Sequence, residues 1–141
     1  LKDKTETEKF IKEQSTAKLG VPGEWFQVAI ALRNNNVLIG DCGVQFDKDE
    51  PRKVEIGYTL NAKYHGNGYA TEAVQLLCAL LFETYDVHKI NAVIDIRNKP
   101  SIHLVQRLNF KQEAHFVNNY WDKKQKLWFD EYQFALINPA S

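Results

Sequence analysis

The segment from His65 to Ala70 is the part of the chain best suited to hold an anion. It reads His-Gly-Asn-Gly-Tyr-Ala and lies between a predicted strand, residues 53–60, and a predicted helix, residues 71–85. A helix N-terminus offers backbone N–H groups with partial positive charge, and glycines let a phosphate approach the backbone closely. An ordinary tight turn also uses two glycines, so the segment alone leaves both interpretations open.

Two well-known nucleotide motifs are absent from this segment. No Gly-Lys-Ser/Thr follows it, which excludes a P-loop, and the third glycine of the dinucleotide fingerprint is missing. The preceding strands also have an antiparallel pattern, which a dinucleotide-binding unit would not show. Any phosphate bound here therefore belongs to a different class of ligand.

The elements around this segment predict one mixed α/β domain over residues 1–141. Val54 and Ile56 alternate with Lys53 and Glu55, which is the period of a strand with one buried face. Strands are predicted over residues 25–32, 37–46, 53–60, 88–96, 110–117 and 127–137, and helices over residues 10–19, 71–85 and 101–108. A strand, a helix and a strand in succession imply a parallel pair with a right-handed crossover.

The composition limits the partners. The chain has 18 basic and 18 acidic residues and a formal net charge of zero, so no nucleic-acid partner is expected. No run approaches the roughly 20 apolar residues of a membrane span, so no membrane partner is expected. Cys42 and Cys78 lie in apolar runs and are predicted to be reduced core thiols of a cytoplasmic protein. The four histidines lack metal-ligand spacing, so no metal site is predicted.

Two stretches resemble the GNAT acetyltransferase superfamily. Residues 54–73 (VEIGYTLNAKYHGNGYATEA) resemble its central motif, and residues 98–110 (NKPSIHLVQRLNF) resemble a later motif in which an Asn precedes a helix ending in Lys/Arg-Leu-Gly-Phe. The most similar branch is the RimJ/RimL-like one, which acetylates the N-termini of ribosomal proteins and related amines. His65 stands where the family has Gln or Arg. Asn109 stands where it has Gly, and is expected to adopt the same left-handed backbone conformation.

The resemblance covers residues 25–137 and implies a fold. The expected class is α/β (α+β), with a mixed, mostly antiparallel sheet, one parallel strand pair that splays to hold CoA, and helices on both faces. The family's domain usually begins with a further strand and helix, which the residues before Thr5 do not provide. The domain is therefore expected to lack that first strand and helix.

The resemblance also implies acetyl-CoA as the co-substrate and assigns residues to it. The pyrophosphate is expected on the loop and helix start, at His65, Gly66, Asn67, Gly68, Tyr69, Ala70 and Thr71. The pantetheine arm is expected to pair with the backbone of Tyr58, Thr59 and Leu60, and Asn98 to hydrogen-bond the arm or the backbone near the acetyl group. The sulfur is expected near Ser101 and a CoA phosphate near Arg107. The alternative for Asn98 is a turn residue before a proline. The alternative for Arg107 is a solvated cation at a helix end.

Two residues are candidates for acid–base chemistry. Glu55 shares its predicted strand face with Gly57 and Thr59 and would take a proton from the amine, although it also fits an ordinary exposed carboxylate. Many relatives carry a proton-donating Tyr at the position of Val105, which cannot donate a proton. In the ribosomal-protein branch a Ser near the start of this helix meets the leaving sulfur, and the resemblance implies that role for Ser101. Ser101 is also predicted to be a helix N-cap.

The resemblance thus implies an N-acetyltransferase that moves the acetyl group directly from acetyl-CoA to a primary amine, such as a protein N-terminus. A polyamine or antibiotic acceptor stays open. So does an acyl-CoA-binding module with little catalysis, which Val105 favours. The expected partners are acetyl-CoA and the amine acceptor, and the chain is expected to be a monomer or a homodimer. Trp121, in the last predicted hairpin, is interpreted as a wall of the acceptor cleft, an exposed aromatic or a dimer contact.

Overall fold

The computed structural model describes residues 11–13, 22–31, 38–60 and 68–140. These residues form β1 (Ile11–Glu13), β2 (Trp25–Ala31), β3 (Leu38–Phe46), β4 (Lys53–Leu60), α1 (Tyr69–Thr84), β5 (Lys89–Asp95), α2 (Lys99–Arg107), β6 (Lys111–Asp122) and β7 (Leu127–Ile137). The strands make one sheet in the order β1-β2-β3-β4-β5-β7-β6. Neighbouring strands are antiparallel except β4 and β5, which are parallel.

One face of the sheet carries the hydrophobic core. Val54 and Ile56 of β4 are buried on this face, whereas Gly57 and Thr59 are exposed on the other, as the two-residue period of a strand requires. Both helices contribute apolar side chains to the same cluster: Ala73, Val74, Leu77, Cys78 and Leu81 from α1, and Ile102, Leu104 and Val105 from α2. The two helices therefore cover one face of the sheet.

The predicted mixed α/β class, mostly antiparallel with one parallel pair, is confirmed. The parallel pair arises where α1 carries the chain from β4 back to the neighbouring strand β5. Asn109, after α2, has a φ of 71°, which is the left-handed conformation expected for the position where the family has Gly. None of the helices in the described part of the chain has the length and apolar character needed to cross a membrane.

The N-terminal segment differs from the prediction. A helix is expected over residues 10–19, but Ile11–Glu13 form a strand that pairs with residues 28–30 of β2. Strand pairing provides hydrogen-bond partners for the backbone groups at the edge of β2. The free energy of this pairing outweighs the helical preference that the spacing of apolar residues indicates. The rest of the predicted helix lies outside the described residues. The prediction also expects helices on both faces of the sheet, but both helices in the described residues lie on one face.

Three other boundaries differ from the prediction. Helix α1 begins at Tyr69, so its first turn includes residues that the sequence assigns to the loop. Helix α2 begins at Lys99, because Asn98 and the following proline already provide a cap and a favourable first turn. Strand β6 continues to Asp122, through a polar stretch predicted as loop, because it pairs with β7 along the hairpin.

Candidate active site

The parallel strands β4 and β5 separate part of the way along the sheet. Only residues 53–55 of β4 pair with β5, at residues 89–91. Beyond that point β4 stays paired with β3 as far as Leu60, and β5 stays paired with β7 as far as Asp95. The opening between them, here called the β4–β5 gap, lies inside the sheet. Alternate backbone N–H and C=O groups of residues 56–60 face it without a β5 partner.

The N-terminus of α1 has the geometry of an anion site. Gly68, the N-cap residue, is left-handed, with a φ of 77° and a ψ of 0°. The N–H of Glu72 donates to the Gly68 carbonyl at 3.0 Å. The N–H groups of Ala70 and Thr71 come before this bond and point out of the helix end. A Cβ on Gly68 would meet no described atom within 4 Å, so no residue in the described ranges fills the space at this turn.

A guanidinium lies beside the same turn. Arg107, the last residue of α2, donates from Nη1 to Oγ1 of Thr71 at 3.4 Å. A cation is favourable at the C-terminus of its own helix but unfavourable beside the N-terminus of another, unless an anion lies between them. Arg107 therefore adds a side-chain donor to the backbone donors of α1. An anion bound here would be held by both helices.

The start of α2 is tied to β4 on the helix-covered face. The Asn98 side chain accepts a hydrogen bond from the Ser101 N–H at 3.3 Å and caps the helix. The Tyr58 hydroxyl, on the part of β4 beyond its last β5 partner, donates to the Ser101 carbonyl at 3.1 Å. The Ser101 hydroxyl has no hydrogen bond within the described part of the chain. Its backbone is thus fixed from two sides while its hydroxyl is available.

Glu55 lies on the opposite face, at the last β4 position that pairs with β5. Burial raises the pKa of Glu55 above its ordinary value, and the negative charge of Glu131 raises it further. Glu131, on β7, accepts a hydrogen bond from the Asn119 side chain at 2.8 Å, which fixes that carboxylate. A raised pKa makes the Glu55 carboxylate a stronger base.

The sheet surface beside Glu55 is open. A Cβ on Gly57 would meet no described atom within 4 Å, and both Gly57 and Thr59 are exposed. The β4–β5 gap therefore has Glu55 near it on one face of the sheet and the start of α2 on the other. This arrangement places a carboxylate and a hydroxyl with no partner among the described residues on opposite sides of one opening.

The predicted site residues fall into groups. His65, Gly66 and Asn67 lie outside the described residues. Three groups form among the described residues. Gly68, Tyr69, Ala70, Thr71 and Arg107 meet at the start of α1, and Tyr58, Asn98 and Ser101 meet at the start of α2. Thr59 and Leu60 lie on the end of β4 that pairs with β3 but not with β5. The prediction of Ser101 as the N-cap is wrong, because the Asn98 side chain takes that role.

Two features were missed by reasoning from the sequence. The Tyr58 side chain was not predicted to act, although a Tyr among the apolar residues of a buried strand face is a signal that its hydroxyl needs a partner. Glu131 carries no local signal, since it is one of two adjacent acidic residues on a strand that is otherwise mostly apolar. Val105 is fully buried in the core and contributes no polar group to the gap.

The chain matches the family model described as Acetyltransferase (GNAT) domain over residues 2–111. It is 33% identical over 119 residues to the uncharacterized N-acetyltransferase p20 of Bacillus licheniformis, and this match covers 84% of the chain and 66% of that protein. The chain spans slightly less than two thirds of the length of this relative and of two further curated relatives.

Two solved structures share the fold. The ribosomal-protein-S5-alanine acetyltransferase from Vibrio fischeri has a TM-score of 0.74 at 22% identity, over 82% of this chain and 62% of that one. A chimera of spermidine N-acetyltransferase SpeG from Vibrio cholerae and hSSAT has a TM-score of 0.75 at 17% identity, over 84% of this chain and 69% of that one. At these identities the likeness concerns the fold alone. Because the family model covers most of the sequence and the sheet opens at its one parallel pair, the chain belongs to the GNAT acetyltransferase family.

Proposed function

We propose that the chain is an N-acetyltransferase that moves the acetyl group of acetyl-CoA to a primary amine by direct attack. The observation that carries this proposal is the β4–β5 gap, where strand β4 has a free backbone edge inside the sheet. An extended ligand with amide groups can pair with such an edge as an added strand does. The pantetheine arm of CoA has two amides and this extended shape.

The described residues fit acetyl-CoA at both ends of that arm. The start of α1 and the Arg107 guanidinium provide donors for a pyrophosphate, while Ser101 lies at the other end of α2. Ser101 and Arg107 are separated by about 9 Å along the helix axis, at 1.5 Å per residue. Helix α2 is thus expected to run beside the arm, with one end at the phosphates and the other at the thioester.

Proton transfer is assigned to residues on opposite sides of the gap. Bound acetyl-CoA would supply the acetyl group as a thioester, and the net reaction replaces a C–S bond with a C–N bond. The Glu55 carboxylate takes the proton that the amine nitrogen loses. The Ser101 hydroxyl gives a proton to the departing sulfur and regains one from solvent. A backbone N–H on the free edge of β4 is expected to donate to the carbonyl oxygen.

The acceptor is proposed to be a protein N-terminus or a related amine. An α-amine has a pKa of ~8 and a lysine side chain a pKa of ~10. A larger fraction of an α-amine is therefore neutral near pH 7, and it depends less on proton removal by Glu55. A polyamine is the second candidate. The observation that favours it is the negative charge of Glu131, which acts on Glu55, because two carboxylates in this region would attract a cation to the acceptor side.

Calorimetry with CoA and a thiol-release assay with acetyl-CoA test these proposals together. The acceptors would be peptides with free N-termini, the same peptides with blocked N-termini as matched controls, and spermidine. Thiol release only with free N-termini supports the first proposal, whereas a preference for spermidine supports the second. CoA binding without turnover on any acceptor would indicate an acyl-CoA-binding module. Absence of CoA binding would refute the family-based assignment of the gap.

A further inference from the structure

The Tyr58 hydroxyl forms a link across the two halves of the opened sheet. Tyr58 belongs to β4, beyond residue 55 where pairing with β5 ends. Its partner, the Ser101 carbonyl, belongs to the helix that follows β5, and the hydrogen bond is 3.1 Å long. The bond therefore joins β4 to the β5–α2 unit at a level of the sheet where no strand pairing does so.

This hydrogen bond acts on Ser101, the residue to which the proposed function assigns proton transfer to the sulfur. The Ser101 N–H is held by Asn98 at 3.3 Å and its carbonyl by Tyr58, so both backbone groups of Ser101 have partners. Its hydroxyl has none among the described residues. With the backbone held, the position of the Ser101 hydroxyl oxygen changes only by rotation about the Cα–Cβ bond.

The bond is also suited to persist while the enzyme works. Burial raises the pKa of Tyr58 to about 12, so the phenol remains protonated, and therefore a hydrogen-bond donor, near neutral pH and well above it. The ring packs against the buried cluster that includes Ile56. Removal of the hydroxyl alone is therefore expected to leave the packing of β4 in place.

We infer that Tyr58 is a positioning residue, which holds the first turn of α2 against the opened part of β4 and thereby aligns the Ser101 hydroxyl with the departing sulfur. This inference rests on the proposed acetyl transfer and deepens it. Tyr58 was assigned from the sequence only for its backbone, next to the pantetheine arm. The hydroxyl gives the side chain a second and separate role.

The first test is a double-mutant cycle of Tyr58→Phe and Ser101→Ala. We expect Tyr58→Phe to lower kcat by roughly ten- to a hundredfold while the CoA Kd and the acceptor KM stay within about twofold, since a small misplacement of a catalytic group costs this much. In the Ser101→Ala background, Tyr58→Phe should have no further effect on kcat. The matched control is Tyr85→Phe, because Tyr85 packs on the same cluster at the far end of α1 and contacts the Phe46 ring.

The second test needs no turnover. Hydrogen exchange of the backbone amides of residues 102–105, in the protein without ligand, should be roughly three- to tenfold faster in Tyr58→Phe and unchanged in Tyr85→Phe. Equal exchange in Tyr58→Phe and the parent would overturn the positioning role. An equal loss of kcat from Tyr58→Phe with and without the Ser101 hydroxyl would overturn it as well. If no amine is acetylated, the proposed function fails, and the exchange measurement still decides whether Tyr58 positions α2.

Discussion

Gly68→Val is the most direct perturbation of the proposed anion site. Gly68 has a φ of 77°, and a Cβ there would meet no described atom within 4 Å, so the substitution meets strain rather than a clash. A left-handed backbone costs an L-residue about 1–2 kcal/mol, and a β-branched residue lies at the high end. The free energy of unfolding should fall by that amount, which corresponds to a decrease in Tm of roughly 3–10 °C.

Gly68→Val should reduce the free energy of CoA binding by more than it reduces the free energy of unfolding. If the turn relaxes toward negative φ, the N–H groups of Ala70 and Thr71 change direction. The loss of one hydrogen bond to a charged group costs about 1.5–3 kcal/mol, and a loss of that size weakens binding roughly ten- to a hundredfold. Calorimetry with CoA measures the Kd, and thermal unfolding in the absence of ligand measures the stability.

Two matched variants separate the site from the strain. Gly23 also has a positive φ, of 81°, and a Cβ there would meet only Lys48 at ordinary contact distance, so Gly23→Val should lower stability similarly without weakening CoA binding. Gly68→Asn should retain most of the affinity, because Asn tolerates the left-handed region, as Asn109 does in this chain with a φ of 71°. An unchanged Kd for CoA in Gly68→Val would refute the anion site at the start of α1.

Four further predictions concern the charged residues and the Ser101 hydroxyl of the proposed site. Arg107→Gln should weaken CoA binding and reduce its dependence on salt, measured by calorimetry at two ionic strengths; an identical salt dependence would exclude a phosphate contact. Glu55→Gln should raise the pH needed for activity, and an identical profile would mean that water or substrate takes the proton. Because its pKa is raised, Glu55 becomes a carboxylate, and so a base, only at a higher pH than an ordinary glutamate does. Glu131→Gln removes a like charge and should lower the pKa of Glu55, so the acidic limb of kcat/KM should move to lower pH. Ser101→Ala should lower kcat at least about tenfold with little change in the Kd for CoA, and an unaffected kcat would remove Ser101 from the mechanism.

The local pattern of apolar and polar residues was sufficient to predict the bounds of the strands whose burial is regular. The bounds of β4 and β7 agree with the prediction, because one residue in two faces the core along β4 and apolar residues dominate β7. The pattern was insufficient at residues 11–13, where strand pairing with β2 decides the conformation. The start of α2 was placed too late because its cap depends on a hydrogen bond from Ser101 to Asn98, which the residue types alone left ambiguous.

By itself the sequence identified the family and predicted an anion site at a glycine before a helix. Backbone geometry at a glycine and the dipole of the helix that follows are local properties, so they can be inferred from a short stretch. Only the tertiary structure decided which side chains meet around the gap. Tyr58 is 43 residues from Ser101, and Arg107 is 36 residues from Thr71. Contacts between elements so far apart depend on how the sheet opens and the helices pack, which no local period of the sequence encodes.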